Sequence, residues 1–189
     1  MVNFYTTTKT INGKEYTAQF NGISAALQAV DNSYVDGTSN TSMVKLSKYL
    51  FENVIVDPKI SIDDFGKDLI GTTKKKTING KEYTVRFNGI SAALKAIDDS
   101  YIDGTSNTST EKLSKYLFEN VIVTPENLSI DDFDNMEDFN DIITFAREAM
   151  QGWDAMDEFT EVVAFAREVM QGNFRNTEKP KSTKKESKK

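Results

Sequence analysis

The side chains whose types and spacing could do chemistry are mostly aspartates. An adjacent pair occurs twice, as Asp63-Asp64 and as Asp131-Asp132, and paired carboxylates can serve acid–base catalysis or bind a cation. Adjacent residues point in different directions, however, and each pair precedes a predicted helix, where acidic side chains interact favourably with the N-terminal end of the dipole. We therefore interpret both pairs as helix starts, with catalysis as the alternative.

Two Asp-Gly loops, Asp36-Gly37 and Asp103-Gly104, are similar to part of a calcium-binding loop. In such a loop a glycine occupies the sixth position, and acidic side chains supply ligands that include the first, third and twelfth. With Gly104 as the sixth residue, the third is Tyr101 and the twelfth is Thr110, and neither carries a carboxylate. The pattern therefore predicts a polar turn instead of a cation site.

The residue types missing from the chain exclude most other catalytic chemistry. It has no cysteine and no histidine, which excludes disulfides, thiolate nucleophiles, histidine bases and zinc sites built on those ligands. The sequence also lacks a glycine-rich phosphate loop and a serine near a plausible base. We therefore expect no enzymatic activity, no cofactor and no bound metal.

The charge of the chain is unevenly distributed. The net charge is -6, but segment 175–189 carries seven basic and two acidic residues, so the remainder is strongly acidic. An acidic body disfavours nucleic acid as a ligand, because phosphate contacts need lysine and arginine on the folded surface. The basic segment is predicted to be a disordered tail, which either increases solubility or tethers the protein to something acidic. No stretch approaches the roughly 20 apolar residues of a membrane helix, and the amino terminus does not resemble a signal peptide.

An internal repeat organises the chain. Residues 9–58 match residues 76–125 without a gap and differ from them at nine positions. A second, shorter repeat begins at Met136 and again at Met156. The order is therefore two similar amino-terminal regions followed by two similar helices, and such repetition indicates copies of one structural unit.

The junctions between the repeats predict that one copy lies inside the other. The second copy continues without a break into Met136, whereas the first is interrupted after Phe65. We therefore predict a first module of residues 1–66 plus 154–174 and an inserted second module of residues 67–153. The alternative is two heads followed by two helices, with either helix free to pack on either head.

Each module is predicted to be a small α+β unit, a β-hairpin plus three helices, so that the two form a pseudo-dimer in one chain. Asn79-Gly80 between two β-prone runs indicates a tight turn, because both turn positions favour a positive φ. Tyr83, Val85 and Phe87 alternate with polar residues, which places them on one apolar face of the sheet. A helix follows, and a second helix is predicted to continue until Pro125 ends it.

The carboxy-terminal helix of each module has a broad apolar face. Such a face exceeds what one thin core needs, so two interpretations remain open. The face either closes the contact between the two modules or receives an apolar segment of another protein. The candidate protein-binding residues lie on and beside it: Phe139, Ile142, Phe145, Met150, Trp153, Phe159, Val162, Phe165 and Met170.

The order of motifs within a module resembles that of a known protein family. The motifs are TINGKEYTVRF, ISAALKAID, LSKYLFENVIV, Pro125, IDDF and MEDFNDIITFAREAMQG. In this order they resemble the tail assembly chaperones of tailed phages that infect Gram-positive bacteria, over nearly the whole of each module. This chain departs from that family in being duplicated.

The resemblance implies an acidic protein of the host cell cytoplasm that coats the apolar tape measure protein. Such a chaperone keeps the tape measure protein soluble until tail tube subunits replace it, so the tail tube protein is a second expected partner. Further self-association of the linked pair is left open. The alternatives are a phage protein that binds and inhibits a host defence or regulatory protein, and a structural subunit of the tail.

Overall fold

The computed structural model describes residues 5–173. Within that range the chain forms two similar α+β modules, as the repeat predicts, and each combines a three-stranded antiparallel sheet with helices. The strands of the first sheet are, in spatial order, β1 (Tyr5–Ile11), β2 (Lys14–Phe20) and β3 (Ile55–Asp57). Those of the second sheet are β4 (Thr73–Ile78), β5 (Lys81–Arg86) and β6 (Ile122–Thr124). The predicted basic tail lies outside the described residues.

Each hairpin turns at an Asn-Gly pair, as predicted. Asn79 and Gly80 have φ of 48° and 77°, and Asn12 and Gly13 have φ of 49° and 77°. A positive φ at both positions gives the twist that a two-residue hairpin needs, and these two residue types tolerate it well. The predicted inward residues of the second hairpin, Tyr83, Val85 and Phe87, are buried.

A third strand replaces the end of the second predicted helix. Helix α2 (Met43–Tyr49) ends early, a π-helical turn covers Leu50–Val54, and β3 then pairs with β2. The Asn53 side chain donates a hydrogen bond to the carbonyl of Tyr49 at 3.0 Å within this turn. Consecutive β-branched residues favour a strand over a helix, so the predicted helix was too long. In the second module, likewise, Pro125 follows strand β6 and does not end a helix.

The helices of the two modules repeat in the same order. They are α1 (Ile23–Asp31) and α2 in the first module, α3 (Ile90–Asp99), α4 (Thr110–Tyr116) and α5 (Met136–Met150) in the second, and finally α6 (Ala155–Met170). Within residues 5–173, no helix is long and apolar enough to cross a membrane.

Helices α5 and α6 each complete a different core. Helix α6 packs on β1 and β2, whereas α5 packs on β4 and β5. Phe51, Phe65 and Phe159 meet in the first core. Their counterparts in the second core are Phe118, Phe133 and Phe139. The chain therefore passes through the second module before α6 returns to the first sheet.

A short, tightly packed link joins α5 to α6. Gly152 has φ of 64°, and Gly172 after α6 has φ of 71°, which is the positive φ predicted at both helix ends. Trp153 lies between the cores, and the Lys74 ammonium is 4.1 Å from the centroid of its ring. The link thus joins α5, which packs on the second sheet, to α6, which packs on the first.

Candidate protein-binding surfaces

The residues predicted to bind a partner are mostly inside the protein. Phe159, Val162, Phe165 and Met170 are buried in the first core, and Phe139, Ile142, Phe145 and Met150 are buried in the second. Trp153 is half-buried between the cores. In this conformation these side chains contact their own modules, and their assignment to partner binding stays a prediction.

The broad apolar face of α5 and α6 is covered by the hairpin of the same module. The Lys76 ammonium lies 5.7 Å from the ring centroid of Phe145, and the Lys9 ammonium lies 6.0 Å from that of Phe165. The expectation that this face closes the contact between the modules is therefore wrong for these two rings. The lysine stems and the hairpin cover them instead, since long basic side chains can lie along apolar surface.

The contact between the modules is made by α3 lying against α2. Ile90 and Leu94 of α3 are 0 % and 4 % exposed and belong to the first core. At the end of α3, a carboxylate oxygen of Asp98 accepts a hydrogen bond from the Ser42 hydroxyl at 2.5 Å. Burial raises the pKa of Asp98, while hydrogen bonds from Ser42 and from the backbone of α2 act in the opposite direction. Helix α3 is thus attached by two apolar side chains and one carboxylate at a helix N-terminus.

The two Asp-Gly loops also meet at this contact. The backbone N–H of Gly104 donates to the carbonyl of Gly37 at 2.9 Å. The side-chain amide of Asn40 donates to the carbonyl of Thr105 at 2.8 Å. The loops are polar turns, as predicted, and they join the modules.

The paired aspartates form local turns. Asp64 accepts hydrogen bonds from the backbone N–H and the hydroxyl of Ser61 at 2.7 and 2.9 Å. Asp132 and Ser129 repeat this capping box in the second module, at 2.7 and 3.0 Å. These bonds lower the pKa of both aspartates. Each pair lies within a single 3-10 turn, Ile62–Asp64 or Ile130–Asp132, and no group of three or more acids in the described part of the chain is placed to hold a metal ion.

The module contact uses one copy of the repeated helix and leaves the other copy open. Ile23 and Leu27 of α1 occupy the positions of Ile90 and Leu94 in the repeat, yet they are 58 % and 60 % exposed. They are one helical turn apart, so they form a single apolar strip on the surface. We call Ile23, Leu27 and Asp31 the α1 face.

The second module has an apolar groove that is closed in the first. Met136 is 67 % exposed and Ile130 is 37 % exposed, and both line a groove of about 240 Å³ together with Phe133 and Phe139. The counterpart of Ile130 is Ile62, which is 8 % exposed because α3 lies over its turn. The groove is open because the second module has no third module packed on it within the described residues.

Sequence reasoning missed the α1 face and the groove, because exposed residues in both have buried counterparts of the same type, namely Ile90, Leu94 and Ile62. Of the predicted site residues, Phe139 alone lines the groove. A comparison of the two copies could have indicated that free faces exist. When two linked copies are joined through different faces, one copy of each face stays free. Comparisons with known proteins found no matching family model, no matching curated protein and no matching solved structure.

Proposed function

We propose that this protein is a non-catalytic chaperone of phage tail assembly that binds apolar helical segments of the tape measure protein. The observation that carries the proposal is the open groove of the second module, which is lined by the exposed Met136 and the buried Phe139 among others. An apolar groove of this kind receives the apolar side chains of an amphipathic helix. Methionine and phenylalanine suit the task, because a flexible thioether and flat rings adapt to varied partners.

The size and rim of the groove suit a transient contact. Its volume of about 240 Å³ lies below the 300 to 1,000 Å³ typical of small-molecule sites, so each contact with a client buries little area and is readily released. Asp134 and Asn135 line the groove together with its apolar residues and supply polar groups. Several chaperone molecules along one client would then protect it together, and each would leave independently.

The acidic body supports the same function. The chain carries a net charge of -6, and charge of one sign keeps protein surfaces apart in solution. A complex of the apolar client with several copies of this chaperone would carry a large negative charge, which would keep it in solution. The motif order of each module, which resembles the tail assembly chaperones, names the class of client.

The test is co-expression of the full chain with the tape measure protein from the same phage genome, scored as the fraction of client that stays soluble and co-purifies. We expect the wild type to retain the client and Met136→Asp to lose most of it, because a charge in the groove opposes burial. The matched control is Ile102→Asp, since Ile102 is a 42 % exposed isoleucine outside the groove. Equal retention by Met136→Asp and the control would exclude the groove, and an insoluble client with wild-type chain would exclude the function.

A further inference from the structure

We propose that a second copy of this chain docks on the α1 face through its second module. Within one molecule, α3 packs on α2. In the proposed dimer, α1 of one molecule packs on α4 of the other in the same way. This inference concerns self-association and goes beyond the proposed chaperone function. It rests on the difference in exposure between two copies of the same residues.

The internal contact defines what the α1 face needs. Ile90 and Leu94 are covered by the first module, and Asp98 accepts from Ser42 at the N-terminus of α2. Ile62 of the first module is buried under α3. The receiving partner therefore supplies a capping serine, the start of a short helix and an exposed isoleucine.

The α1 face carries the same attaching residues in the same order. Ile23, Leu27 and Asp31 are identical in type and spacing to Ile90, Leu94 and Asp98. The two isoleucine and leucine side chains are more than half exposed, and Asp31 is exposed as well. The three side chains by which α3 is attached thus have exposed counterparts on α1.

The second module presents the matching receiving face, which we define as Ser109, Thr110, Glu111 and Ile130. Ser109 caps α4 by accepting from the backbone N–H of Lys112 at 3.2 Å, as Ser42 accepts from that of Lys45 at 3.1 Å. Ile130, the counterpart of the buried Ile62, is exposed. The local structure that receives α3 in the first module is therefore already formed in the second.

Two of the four receiving residues differ in type from their counterparts in the first module. The residues of α1 that would lie near them also differ from their counterparts in α3. Met43 and Val44 of the first module are replaced by Thr110 and Glu111. Val44 lines a surface pocket with Lys95 and Asp99 of α3, and the corresponding residues of α1 are Gln28 and Asn32.

In a contact between copies, Glu111 would therefore lie near two neutral amides and near the carboxylate of Asp31, the counterpart of Asp98 in the same pocket. Because α1 has Asn32 where α3 has Asp99, Glu111 meets no negative charge at that position. The Gln28 amide can also donate a hydrogen bond to the Glu111 carboxylate. The smaller apolar area of Thr110 makes this contact weaker than the internal one.

The contact is head to tail, since the α1 face and the receiving face belong to different modules. When two copies join in this way, one α1 face and one receiving face stay free. Ile130 belongs to both the receiving face and the groove, so a second copy and a client compete for the second module. Self-association is measured without a client, and its outcome is therefore independent of the chaperone function.

The test is sedimentation velocity of the full chain over a range of concentrations. We expect the average mass of the wild type to rise with concentration, and Leu27→Glu and Ile130→Asp each to stay monomeric. An equimolar mixture of these two variants should form a one-to-one dimer, because one retains the receiving face and the other retains the α1 face. Val123→Asp, a change at a 37 % exposed residue of β6 that belongs to neither face, should associate like the wild type.

A double variant is expected to strengthen the contact between copies instead of weakening it. Thr110→Met with Glu111→Val restores the residues of the internal contact, and we expect association about tenfold tighter or more. A wild type and a Thr110→Met/Glu111→Val variant that both stay monomeric at all concentrations would overturn the proposal. So would a monomeric mixture of Leu27→Glu and Ile130→Asp, or a Val123→Asp variant as impaired as Leu27→Glu.

Discussion

The rings of Phe65 and Phe159 meet edge to face with their centroids 5.5 Å apart, although the whole second module lies between them in the sequence. Phe51 joins them, 5.5 Å from Phe65 and 6.0 Å from Phe159. The first core is therefore completed by a helix that the chain supplies last. Its stability depends on a long closed loop that contains a folded unit.

The first prediction concerns which sheet depends on which helix. Phe159→Ala removes a ring that is 1 % exposed, so we expect a loss of about 3 to 5 kcal/mol from the free energy of unfolding. Hydrogen exchange should accelerate in β1 and β2 and change little in β4 and β5. The matched variant Phe139→Ala should produce the reverse pattern. If both variants loosen both sheets equally, the two cores do not behave as separate units.

The second prediction compares identical residues in the two copies of the repeated helix. Leu94→Ala should lower the free energy of unfolding by about 2 to 5 kcal/mol, because Leu94 is buried against the first module. Leu27→Ala should change it by no more than about 0.5 kcal/mol, since Leu27 is 60 % exposed. Chemical denaturation of both variants at low protein concentration provides the comparison. Equal losses would contradict the asymmetric contact between the modules.

The third prediction concerns the two glycines that end α5 and α6. A Cβ on Gly152 would lie 2.6 Å from the ring of Phe87, whereas one on Gly172 would lie 3.5 Å from the ring of Phe20. Both glycines have a positive φ, so alanine strains the backbone at either site by about 1 kcal/mol.

Gly152→Ala should therefore lower the melting temperature clearly more than Gly172→Ala, because overpacking adds about 1 to 3 kcal/mol at the first site alone. Thermal unfolding followed by circular dichroism measures both variants. A Gly172→Ala variant that is the less stable of the two would contradict the packing around Phe87.

The fourth prediction is a pH dependence of the module contact. The pKa of Asp98 lies above its ordinary value of 3.8, chiefly because of burial, so the folded state binds more protons than the unfolded state between the two values. The free energy of unfolding should therefore rise as the pH falls through the raised pKa toward 3.8, and this gain should be lost as the pH rises again. Asp98→Asn should remove this part of the pH dependence.

Asp64 provides the opposite sign and a separate pH window. Hydrogen bonds from Ser61 lower its pKa below 3.8, so its contribution to stability is present above 3.8 and is lost as the pH falls through the lowered value. Denaturation of the wild type, Asp98→Asn and Ser61→Ala at several pH values separates the two groups. An Asp98→Asn variant that follows the wild type throughout would contradict the role of burial at Asp98.

Local features of the fold could be predicted from the sequence, because they depend on nearby residues. The hairpin turns at Asn12 and Asn79 follow from residue types that accept a positive φ. The positive φ of Gly152 and Gly172 at the helix ends could be predicted for the same reason. The third strand could not, because it forms when Ile55 pairs with Ala18 on a distant strand, and helical spacing does not reveal that partner.

The candidate site was less predictable, since surface and core positions of this chain share residue types. Phe145 and Phe165 suggested surplus apolar surface, and the structure covers both with their own hairpins. Met136 carries no signal that separates it from Met156, which is half-buried between the two cores. Exposure depends on what the rest of the chain places over a residue.

By itself, the sequence determined that two copies of one α+β unit occur in this chain and where the turns and most helices of each copy lie. It also excluded histidine and cysteine chemistry. Only the tertiary structure decided that α3 lies on α2 while α1 stays open. Ile23 and Ile90 have almost the same neighbours in sequence, yet one is 58 % exposed and the other is buried. Identical local sequences encode identical local structure, so this difference arises from a head-to-tail contact that two linked copies can make only once.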